Sequence, residues 1–167
     1  MKRLAAALLL SALVTPAIAQ APMPPAPPAL TPDKLIPMDQ ALAAAQAAIE
    51  TCLKLPRPSQ ASVEIVDLNG LAKVVLSADG ARTNSFDYMH MKTHTVLKKG
   101  MASAAFGKIA KMTPGQPIEG DPMLIQYGGA QPILKNGVMI GVISVSGPTG
   151  QVDDDTCAMA GLAKFHF

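Results

Sequence analysis

Several kinds of segment and motif are missing from this chain of 167 residues. No stretch approaches the roughly 20 consecutive apolar residues that a membrane-spanning helix needs; the apolar run Leu4 to Val14 is eleven residues. There is no G-x-S-x-G elbow, no Walker loop and no H-E-x-x-H pair, so the usual nucleophile, phosphate-cradle and zinc-protease chemistries have no anchor in the sequence. Internal repeats are absent. Cysteine is scarce: Cys52 and Cys157 are the only two, and their spacing excludes both a C-x-x-C redox pair and a zinc site.

What is present begins with an address. Lys2 and Arg3 precede the apolar run, and Ala17-Ile18-Ala19 follows it, which is the order of a cleavable secretory signal peptide over residues 1–19. The expected product is periplasmic or secreted, cut near Ala19, with no integral membrane segment. Without Lys2 and Arg3, the 14 basic residues of the full chain fall to twelve, against 12 acidic ones. A neutral surface argues against nucleic acid or an anionic membrane as partner. In an oxidising compartment the two cysteines read as a disulfide, with two buried free thiols as the other reading. If joined, they close a loop whose cross-linking is worth about 4–5 kcal/mol in the chain-entropy model.

Residues 20–37 form a proline-rich spacer, extended and unable to pack a core; residues 38–167 are the domain. Ala41, Leu42, Ala45, Ala48, Ile49 and Cys52 recur at helical steps over Met38 to Leu55, ended by Pro56 and Pro58. Ala61 to Leu68 and Leu71 to Ala78 read as strands around Asn69-Gly70, a hairpin signal. A second helix capped by Asn84 or Ser85 runs to Lys99 and meets Gly100, followed by a short helix over Ala102 to Lys111 and a loop over 113–122. Met123 to Tyr127, Ala130 to Leu134 and Val138 to Val145 are three more expected strands, the last two joined through Asn136-Gly137. Asp153 or Asp154 caps a final helix ending at Lys164. The order predicts an α+β domain, a five-stranded antiparallel sheet flanked by helices.

The segment Gly128-Gly129-Ala130-Gln131-Pro132-Ile133, followed by Asn136-Gly137-Val138-Met139-Ile140-Gly141-Val142-Ile143-Ser144-Val145-Ser146-Gly147, resembles the glycine-rich core of the GlcG/HbpS-type haem-binding family. Asp79-Gly80-Ala81, Lys92 with Thr95, and Asp153-Asp154-Asp155 match further positions of that family's pattern, so the resemblance covers about residues 38–163. Two features depart from it. Leu76 or Ser77 stands where the family has an arginine, and Thr93, His94 and Val96 replace small residues around the threonine. The resemblance implies a profilin-like α/β/α sandwich, assembly into homo-oligomers, and haem as cofactor for some members; other members accompany glycolate or cobalamin metabolism.

Haem iron takes an axial nitrogen, sulfur or oxygen. His90 and His94, four apart on the second helix, point the same way, with Tyr88, Met89 and Met91 beside them. They are either a donor stripe for haem or another metal, or incidental histidines on a solvated face. Lys92 beside Thr95 suits a haem propionate or an acidic group at a subunit interface. Gly128 and Gly129 permit close approach of another group, and Ser146 ends its strand as a pocket wall. The expected function is therefore an exported haem-binding protein that scavenges, buffers or senses haem. The alternatives are an oligomeric accessory module without cofactor, or a partner of an enzyme of small hydroxy-acid metabolism. No residue is marked as catalytic.

Overall fold

The computed structural model describes residues 25–110 and 120–167. The signal peptide, the start of the spacer and most of the expected 113–122 loop lie outside these.

Small side chains decide how the first layer packs. Ala41, Ala44, Ala45, Ala48 and Cys52 form the buried stripe of α1 (Met38–Leu53), and so little side-chain bulk lets the helix lie close to its neighbours. The chain then makes β1 (Ser62–Asp67) and β2 (Ala72–Ser77), α2 (Thr83–Lys99), α3 (Ser103–Ile109), β3 (Ala130–Lys135), β4 (Val138–Ser146) and α4 (Gln151–Leu162). The strands form one antiparallel sheet in the order β2-β1-β4-β3. Alternation along β1 and β4 divides the interior in two. Val63, Ile65, Ile143 and Val145 face α1 and α4; Val66, Val142 and Ala130 face Val96 of α2. The result is a helix–sheet–helix sandwich.

Both hairpins form where the Asn-Gly pairs predict them. Asn136 and Gly137, at φ 52° and 78°, occupy the two-residue turn between Lys135 and Val138, where both central residues need positive φ. At the other turn the Asp67 carboxylate accepts the backbone N–H groups of Asn69 and Leu71 at 2.8 and 3.0 Å.

Three expectations need correction. Among the described residues the sheet has four strands, not five: Met123 begins in a turn and the segment to Tyr127 joins no ladder. Its backbone is held by a helix instead, since the Ile125 N–H donates to Thr95 Oγ1 at 2.9 Å. Neither Asn84 nor Ser85 caps α2; Arg82 holds the cap position without a side-chain bond, and Ser85 is buried inside the helix. Gly150, not an aspartate, precedes α4, and Asp154 turns inward.

Cys52 and Cys157 are joined, with Cα atoms 5.4 Å apart. Both are fully buried, so the bond pins α1 to α4 inside the larger core. The ends of the domain also meet, because Gln40 exchanges two hydrogen bonds with the backbone of His166. No helix of the described residues is long and apolar enough to cross a membrane.

Candidate functional site

α2 lies on one face of the sheet and α4 on the other, yet a side chain of each meets at the end of β4. Lys92 is 2% exposed. Its ammonium donates to Asp154 Oδ2 at 2.7 Å and to the Val145 carbonyl at 3.0 Å. Asp154 Oδ1 accepts the Gly147 N–H at 2.8 Å.

The glycine pair explains how the two reach each other. Gly129 sits at φ +122°, and a Cβ there would stand 2.8 Å from both Lys92 Nζ and Asp154 Cβ. Any side chain would block the passage through which the ammonium reaches the carboxylate. The Gly129 N–H donates to Asp155 Oδ1 at 2.8 Å and the Gly128 N–H to Gln151 Oε1 at 3.1 Å. The glycine loop is thus sewn to the first turn of α4.

Burial pushes Lys92 below the ordinary lysine range, against the opposing pull of the Asp154 charge and hydrogen bond. Burial likewise pushes Asp154 up to about 6, against the Lys92 charge and the bonds from Lys92 and Gly147. Each member is displaced toward its neutral form despite the short contact. Desolvation therefore outweighs mutual attraction, as expected of a pair withdrawn from water.

Above this pair opens a cleft of about 350 Å³, lined by Tyr88, Lys92, Tyr127, Ser146, Gly147, Gly150, Gln151 and Asp154. Tyr88 is one helical turn before Lys92 and shares its face. Tyr127 meets Tyr88 edge-to-face, the ring centroids 6.0 Å apart. Both rings are partly exposed at 41% and 45%. A second hollow of about 460 Å³ shares Tyr127 and Gln151 and includes Lys108 and Asp155.

Of the residues singled out in the sequence, Lys92, Gly128, Gly129 and Ser146 converge around this place. The histidines do not. His90 and His94 each stand two residues from Lys92, about 160° around a helix of 3.6 residues per turn. His90 Nδ1 lies 3.4 Å from Glu64 Oε2, and His94 Nε2 lies 3.0 Å from Asp121 Oδ2. Lys98 reaches the same Asp121 oxygen at 2.7 Å. Its hydrogen bond, then that of His94, then the Met123 N–H, hold the Asp121 carboxyl well below the usual range. Among the described residues no group of three or more His, Cys, Asp or Glu side chains is arranged to hold a metal ion.

Thr95 is occupied elsewhere: its hydroxyl donates to the Met91 carbonyl at 2.9 Å and accepts from Ile125. Tyr127, Gln151 and the pairing role of Asp154 escaped the sequence reading. The glycine pair and the expected pocket wall at Ser146 were the signals that pointed toward the cleft.

Fold and cleft together define a class: a one-sheet α+β sandwich whose open site lies where its two helical layers meet around the sheet end. Within it, residues 36–163 match the family model described as "Haem degrading protein HbpS-like", and the chain belongs to that HbpS-like family. The crystal structure of HbpS aligns with TM-score 0.71 and 28% identity, over 83% of this chain and 95% of that one. A double mutant of HbpS from Streptomyces reticuli gives TM-score 0.71 and 28% identity, over 89% and 99%. A crystal structure of a PduOC:heme complex shares the fold at TM-score 0.69, with 19% identity over 78% and 95%. No protein with a curated description matches the chain significantly.

Proposed function

We propose that this protein binds haem, or a closely related tetrapyrrole, at the Tyr88–Tyr127 cleft, and that it does so outside the cytoplasm as a scavenger, buffer or sensor. The observation that carries the reading is the cleft itself, in a chain of the HbpS-like family. Haem needs a ring surface to rest on, a donor for iron and a cation for its propionates. Two aromatic rings, two phenol oxygens and a lysine stand together here, so the residues present fit the group. An ammonium has three N–H bonds, and Lys92 spends two on Asp154 and Val145; the third suits a carboxylate of the ligand. Haem bound here supplies an iron centre with open coordination positions. The chain's residues seat the ring edge, orient it and keep part of it from water. The face left open suits a second copy of the chain in a homo-oligomer. The buried Cys52–Cys157 bond supports export, since disulfides persist in oxidising compartments.

Titration of the purified protein with hemin tests the reading. The expected result is a shifted Soret band that saturates at a fixed stoichiometry, with affinity above that of an unrelated protein. An unchanged band sinks the proposal and favours the cofactor-free accessory module. Steady loss of the bound Soret band with a reductant and oxygen, faster than for free hemin, would extend binding to degradation.

A further inference from the structure

We infer that the iron-binding oxygen of this cleft is the phenol of Tyr88, with Tyr127 as its positioning residue and with neither histidine of α2 involved; this rests on the haem reading above. Three observations carry it. First, Tyr88 is fixed in the body of a 17-residue helix, one turn from Lys92, and its ring lines the cleft. A ligand side chain gains from such a rigid support, because the donor must be held in place before the metal arrives. Second, Tyr127 packs edge-to-face against it at 6.0 Å and 72°. That contact restricts the Tyr88 ring, and Tyr127 comes from a segment itself tied to α2 through Thr95 and Ile125. Third, the histidines and the threonine hydroxyl of α2 are engaged elsewhere. His90 and His94 lie across the helix, next to Glu64 and Asp121, and the Thr95 hydroxyl is bonded to backbone.

Tyrosine oxygen is an established axial donor to haem iron. Ligation by Tyr88 would form one Fe–O bond, break the phenol O–H bond and break the iron's bond to the water it carries in solution, which leaves as free water. The proton leaves through the open cleft to solvent, and no electron is transferred, so the iron remains ferric. Binding of haem that carries water on its iron would therefore release one proton per haem.

Visible absorption, electron paramagnetic resonance and resonance Raman spectra of the hemin complex test this in the full chain. Expected for the intact protein are a phenolate-to-iron charge-transfer band and tyrosinate vibrations. Tyr88→Phe, which removes one partly exposed hydroxyl, should lose both and weaken hemin binding by more than about tenfold, the lower end of what disturbing a metal's supporting shell costs. Tyr127→Phe should keep the tyrosinate signature, and His90→Ala and His94→Ala should leave the spectrum unchanged. A Tyr88→Phe complex with the intact spectrum overturns the assignment while leaving the haem reading in place. Loss of the axial signal in His90→Ala or His94→Ala overturns it in favour of the histidines. Failure of the intact protein to bind hemin removes both. Matched circular dichroism and melting curves across the variants exclude misfolding as the cause.

Discussion

Lys92→Met leaves the Asp154 carboxylate buried without its counter-charge. Breaking a buried pair in this way costs about 3–5 kcal/mol, measurable by denaturant unfolding at neutral pH. The pH dependence has a definite sign. In the intact protein Asp154 takes its proton near pH 6 when folded and near 3.8 when unfolded. The folded state therefore binds that proton first, and this group's contribution to stability grows as pH falls through that window. Without Lys92 the carboxyl protonates at a higher pH still, so the deficit of the variant should shrink as the solution is acidified. A deficit constant from pH 8 to pH 5 would contradict the account. Replacing both partners, Lys92→Met with Asp154→Leu, should recover part of the loss, because apolar groups carry no desolvation cost. Both residues stood out in the sequence, Lys92 as a contact for a propionate or for an acidic group at a subunit interface, and Asp154 as a helix cap. Their pairing spans 62 residues and depends on the gap at Gly129, which no local pattern reveals.

The segment from Met123 to Tyr127 shows the same limit one level up. Its apolar residues read as a strand, but it joins no ladder, and the Thr95 hydroxyl of α2 takes the Ile125 N–H where a neighbouring strand would. Thr95→Val keeps the shape and removes the acceptor for the Ile125 N–H. The expected cost is about 1–3 kcal/mol for a buried donor left unpaired, with faster amide exchange at Ile125. Unchanged exchange there would mean that the clasp does not hold the segment. The hairpins and α1 were legible because turn residues and periodicity act locally. The orientation of α2 was not. Its buried side carries Ser85, Lys92, Thr93 and Thr95 beside Met89 and Val96, so polarity does not mark which face meets the sheet. The four-residue spacing of His90 and His94 could not say what they would face: one lies beside Glu64, the other beside Asp121.

For the whole molecule, the disulfide is the covalent cross-link, joining residues 105 apart in sequence. Replacing both cysteines by alanine should lower unfolding stability by about 4–5 kcal/mol if loop closure governs the effect, read as a shift in the denaturant midpoint. A shift below about 1 kcal/mol would show that packing of α1 against α4 suffices alone.

The same bond divides the molecule mechanically. Force applied at the two ends enters through α1, crosses from Cys52 to Cys157 and leaves through the tail. Everything between bears no load, including all four strands, α2 and every residue lining the tyrosine cleft. In single-molecule pulling, the reduced protein should therefore extend further than the oxidised one by roughly 350 Å, at about 3.3–3.6 Å for each of the 105 residues released. Equal lengths would refute the shielding. A domain built this way can be stretched at its ends without the tyrosine cleft ever coming under tension.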